Sequence, residues 1–65
     1  MFIVLLTGTR NGKPHTESAG SFDSVDACIE RARSQKASGY MGSFDQITGC
    51  RVLDENQKIV REGSI

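Results

Sequence analysis

The first strand of this chain limits its fold more than any other feature. Phe2-Ile3-Val4-Leu5-Leu6 is an unbroken apolar run. Side chains alternate along a strand, so Phe2, Val4 and Leu6 point one way and Ile3 and Leu5 the other. A strand that is apolar on both sides expects a cover on both sides. The chain has 65 residues, near the lower limit for a self-sufficient core, and one helical pattern to do the covering. One face of the sheet is therefore expected to need something more, and the need points to a partner rather than to a reaction.

The clearest local signal comes next. Arg10-Asn11-Gly12-Lys13 is centred on Asn-Gly, the pair preferred in a type I′ turn because both central residues take positive φ. Such a turn pairs Thr9 with Pro14, Leu6 with Glu17, Val4 with Ala19 and Ile3 with Gly20. Residues 13–21 then form the return strand. Pro14 has no N–H to give to a ladder, which confines that strand to a sheet edge and places the first strand inside.

Asp23 is the expected N-cap of a helix, with Asp26 adding negative charge to its first turn and Phe22 placed to pack back on it. Val25, Cys28, Ile29 and Ala32 recur at i, i+3, i+4 and i+7, a narrow apolar stripe. Glu30, Arg31, Arg33 and Lys36 take the solvent side. Lys36 and Gly39 are stop signals, so the spacing predicts a helix over 24–37.

Residues 39–49 are glycine-rich yet hold Tyr40, Met41, Phe44 and Ile47. Glycine supplies backbone freedom there, and the aromatic rings supply contact area. Two readings stand side by side: Tyr40 and Phe44 close the bottom of the core, or the segment is a contact loop. Cys50-Arg51-Val52-Leu53 reads as a strand, Asp54-Glu55-Asn56-Gln57 as a polar turn and Lys58-Ile59-Val60-Arg61 as the last strand, with 62–65 as a tail.

The expected fold is α+β, in one domain over 1–65: a single antiparallel sheet with one helix on one face, ββαββ, strand order 2-1-3-4. Two parities are open: the helix covers Phe2, Val4 and Leu6, which is the one expected, or it covers the opposite side, and either choice leaves apolar side chains on the other face. Cys50 neighbours the first strand and faces Cys28 across the helix–sheet gap. Ile3, Leu5 and Leu53 are left on the open face.

Composition excludes several classes of function. Eight basic residues balance eight acidic ones, giving zero net charge. A general nucleic-acid binder needs a basic surface to release counterions, and docking on anionic lipid needs the same. The apolar run ends at Thr7 and no Lys or Arg precedes it, which does not fit a secretory signal with its basic n-region and apolar stretch of ~7–15 residues. It is also far short of the ~20 residues that span a membrane. Cytoplasmic residence is the expectation.

No catalytic or metal set emerges. Zinc sites use three or four ligands at characteristic spacings, and Cys28, Cys50 and His15 do not supply them. The two cysteines read as buried free thiols, with a Cys28–Cys50 disulfide as the second reading in an oxidising compartment. His15 has no nucleophile or orienting partner that the sequence can name. The acidic residues are accounted for by capping, turns and solvated faces. No Walker or dinucleotide fingerprint is present, so no cofactor is expected.

Gly39-Tyr40-Met41-Gly42-Ser43-Phe44 resembles, in outline, the aromatic strand that stacks bases in RNA-recognition motifs. Ser38 stands where that motif has Lys or Arg, and the glycine and aromatic spacing differs, so nucleic-acid binding is not favoured. In size and expected fold the chain resembles small phage-encoded inhibitors of host enzymes. That resemblance implies a protein that docks on a larger host protein and blocks it.

The sequence therefore predicts a non-catalytic interaction module acting on a protein partner or a second copy of itself as a homodimer. Ile3, Leu5 and Leu53 with Tyr40, Met41 and Phe44 are the candidate contact residues. The alternative is a small-anion binder, or a weak nucleic-acid binder, with Arg10, Lys13 and His15 around the hairpin tip receiving the anion.

Overall fold

Asn11 and Gly12 adopt φ of 53° and 77°, the left-handed pair that a type I′ turn requires. They join β1 (Phe2–Arg10) to β2 (Lys13–Phe22) in a hairpin whose last pair is Arg10 with Lys13. This is a computed structural model that describes residues 1–39 and 43–65. After the hairpin come α1 (Val25–Ala37), β3 (Gln46–Leu53) and β4 (Ile59–Ser64). The four strands form one antiparallel sheet in the order β2-β1-β3-β4, with α1 packed on one face. The α+β class and the strand order match the sequence reading.

The register departs from it at one place. Leu6 faces Glu17 and Thr9 faces Pro14 as expected, but Val4 faces Gly20 and Ile3 faces Ser21. Ala19 is an extra residue on β2, and Gly20 beside it takes φ of 121°. Glycine tolerates that conformation, and the bulge it permits shifts the pairing by one. A second irregularity lies on β3, where Thr7 pairs with Gly49 and Gly8 with Ile47, leaving Thr48 as the extra residue.

The helix starts one residue later than its charge pattern suggests. Ser24 is the N-cap: its backbone is extended, and its hydroxyl accepts from the Ala27 N–H at 3.1 Å. Asp23 does not cap. At the other end Ser38 N–H donates to Ser34 O, Gly39 N–H donates to Lys36 O, and Gly39 takes φ of 77°. This is the expected glycine stop.

The core lies between α1 and one face of the sheet. Val4, Leu6, Cys28, Ala32, Phe44, Ile47, Cys50 and Val52 are buried, with Phe2, Phe22, Val25, Ile29 and Ile65 packed around them. Burying a side chain such as Val4, Leu6, Ile47 or Val52 contributes ~1.5–3 kcal/mol. The last residues are not a tail. β4 runs on to Ser64, Ile65 N–H donates to Thr48 O at 3.2 Å, and the Ile65 side chain closes one end of the core. Lys36 Nζ donates to the Ile65 carbonyl oxygen. Among the described residues no helix is long and apolar enough to cross a membrane.

Candidate interaction surface

The pairing of the strands fixes which side chains share the face away from α1. Val4 and Leu6 are buried on the helix side, so Ile3, Leu5 and Thr7 point to the other side. Cross-strand partners share a face. Ile3 is opposite Leu53, and Leu53 is opposite Ile59; Leu5 is opposite Arg51, and Arg51 is opposite Glu62. Two neighbouring rows thus run across β1, β3 and β4. One is Ile3, Leu53 and Ile59; the other is Leu5, Arg51 and Glu62.

The α1 helix packs on β1, β2 and β3 from the opposite side and supplies no cover to these rows. Ile3, Leu5 and Leu53 are half-buried by their own neighbours, and Ile59 is 52% exposed. On β2 the residues beside them are Ser18 and Ser21, too small to shield them. Arg51 Nε donates to Glu62 Oε2 at 3.0 Å, an exposed pair that edges the apolar group and leaves it neutral. Exposed pairs of this kind contribute at most about 1 kcal/mol to stability. Beside that pair a notch of about 320 Å³ opens, lined by Thr7, Thr48, Gly49, Arg51, Glu62 and Ser64 among others. Ile59 was missed as a contact residue in the sequence; its pairing with Leu53 across a β4 irregularity is what places it here.

The aromatic segment divides differently. Phe44 is turned inward at 6% exposure, with its ring edge-on to the His15 imidazole at 4.9 Å between centroids. It closes the bottom of the core and offers no contact surface of its own. Tyr40 and Met41 lie outside the described residues.

Arg10, Lys13 and His15 do lie on one side of the hairpin, but carboxylates stand among them. Asp45 Oδ2 accepts from the Asn11 N–H at the turn, and Glu17 Oε2 is 3.5 Å from His15 Nε2. That approach lacks hydrogen-bond geometry, so His15 Nε2 is buried without a hydrogen-bond partner. The imidazole itself packs on Phe44, so the three basic residues form no open cationic cluster.

Both cysteines are free and buried. Cys28 Sγ donates weakly to Phe2 O at 3.6 Å, while Cys50 stands opposite Leu6. The two thiols share one core and lie close enough for Cys50 to act electrostatically on Cys28, but no bond joins them. Burial pushes both thiols above their ordinary ionisation range; Arg33 and Arg61 pull Cys50 back part of the way. Neither is set up as a nucleophilic thiolate at neutral pH. Among the described residues no three His, Cys, Asp or Glu side chains gather as metal ligands do.

No protein-family model, curated protein or solved structure matches this chain.

Proposed function

We propose that this protein is a non-catalytic interaction module whose working surface is the sheet face away from α1. The observation that carries the reading is the contiguous group Ile3, Leu5, Leu53 and Ile59 on a face that the single helix does not cover. Water contact with such a group is unfavourable by roughly 25 cal/mol per Å² of apolar surface, which a docked protein recovers. The neutral Arg51–Glu62 pair at its edge supplies polar contacts without a strong field of either sign. The occupant is another protein or a second copy of the chain. Blocking a larger host protein by docking is the sharper form of the same reading.

Methyl NMR with a soluble paramagnetic agent tests it. In dilute protein the methyl signals of Ile3, Leu5, Leu53 and Ile59 broaden strongly, while those of Val4, Leu6 and Val52 do not. Docking of the occupant shields the first set and leaves the second unchanged. Open-face methyls as protected as Val4 in the dilute monomer would remove the reading.

A further inference from the structure

The helix leaves a second place uncovered, on its own side of the sheet. Its main packing is on β1, β2 and β3, and a groove lined by residues of both elements opens between β4 and α1. Arg61 faces this groove because its partner Val52 is fully buried on that side, and Gly63 faces it because its partner Cys50 is buried there. From the helix, Ile29 and Arg33 line the same space. The inner part of the groove, about 210 Å³, has Ile29, Cys50, Gly63 and Ile65 around it and the two arginines beside it.

Three observations give this groove a ligand chemistry. The first is convergence: Arg33 comes from the middle of α1 and Arg61 from the edge strand, yet they line one space, and both act on the Cys50 thiol at its floor. The second is availability. Among the described residues neither guanidinium is within ion-pair distance of a carboxylate, although Asp26 and Glu30 line the outer groove. Glu62, which also lines the inner part, is held by Arg51. The third is room: a Cβ on Gly63, which lines the same groove, would meet no atom within 4 Å, so the groove is open at that point.

We propose that the groove between α1 and β4 binds a small oxyanion, a phosphate or a carboxylate group, between the guanidinium groups of Arg33 and Arg61. Guanidinium forks match both groups with paired, charge-assisted hydrogen bonds, which a lysine does not reproduce. The volume accommodates a phosphate or a carboxylate group with room to spare. This site lies on the other side of the sheet from the open face and does not depend on that surface being a docking site.

Titration of the full chain with sodium phosphate, and separately with sodium acetate, tests the proposal, with sodium chloride at matched ionic strength as the control. NMR is expected to show saturable shifts at the Arg33 and Arg61 side-chain Nε–H and at the Gly63 and Ser64 amides. The two arms tell a phosphoryl group from a carboxylate. Arg61→Gln is expected to weaken binding at least tenfold. Gly63→Val fills the space, leaves both charges in place and is expected to abolish saturation, with an unchanged far-UV spectrum showing that the fold is kept. Shifts that follow ionic strength alone, or that spread equally over Arg10, Lys13, Arg31 and Arg51, would overturn the site. So would a folded Gly63→Val protein that binds as tightly as the wild type.

Discussion

Gly8 of β1 lies directly against the backbone of Gln46: a Cβ at Gly8 would sit 1.9 Å from the Gln46 carbonyl oxygen. The contact lies beside the irregularity at which Thr48 is the extra residue on β3. Gly49 is similarly confined by the Gly63 carbonyl, 2.5 Å from its ideal Cβ. Neither needs an unusual φ; each needs the absence of a side chain. Gly8→Ala is therefore expected to cost about 3 kcal/mol or to prevent folding, since backbone on both sides has to move. Gly63→Ala, with open space around it, is expected to stay within about 0.5 kcal/mol. Urea midpoints of the two variants make the comparison; equal midpoints would contradict the close approach.

The cap at the start of α1 gives a second contrast. Ser24 accepts from the Ala27 N–H and Asp23 does not cap. Ser24→Ala is expected to lower stability by ~1 kcal/mol, the usual cost of losing a cap. Asp23→Ala is expected to change it by only a few tenths, through the weaker interaction of its charge with the helix end. Thermal unfolding of both variants would show the larger loss at Ser24. The reverse order would return the cap to Asp23.

The buried thiols make the protein sensitive to alkali. Cys28 and Cys50 ionise at higher pH in the folded chain than in the unfolded one, because burial penalises the thiolate. Below the ordinary thiol range, near ~8.5, both states are protonated and the full stability is present. As pH rises past that point the unfolded state gives up its protons first, so stability falls until the folded-state values are passed. A pH series of urea midpoints should be flat with respect to these groups around neutrality and decline above about pH 8.5. Cys28→Ala should reduce the slope of that decline, even though it lowers stability overall by emptying a packed site.

Much of this fold is legible in the amino-acid pattern. Asn11-Gly12 announces its turn, Pro14 marks β2 as an edge, and the stripe Val25, Cys28, Ile29, Ala32 sets the face that α1 buries. Those three signals are local; which side of β1 turns inward is not among them, because the run Phe2–Leu6 is apolar on both sides and only the packing of α1 puts Val4 and Leu6 in the core. What was not legible depends on contacts between distant residues. The bulge at Ala19 and Gly20 is a matter of pairing, and a glycine in a strand does not say which way it will shift the register. The extension of β4 to Ser64 and the docking of Ile65 rest on Thr48 and the core edge, far away in sequence. The same limit applies to the α1–β4 groove: Arg33 and Arg61 look like separate solvated charges until the strand order brings them together.

The central claim is that β1 has a buried side and an open side, and that the open side is the working surface. The most direct test is the stability of Leu5→Asp and Leu6→Asp, measured in parallel at low protein concentration. Leu6 is 1% exposed in the core, so a carboxylate there is buried without a partner and Leu6→Asp should not fold. Leu5→Asp should fold, because its carboxylate reaches water, with its melting temperature lowered by only a few degrees. An unfolded Leu5→Asp protein alongside an unfolded Leu6→Asp protein would show that the chain itself seals both faces of β1, and would contradict the account.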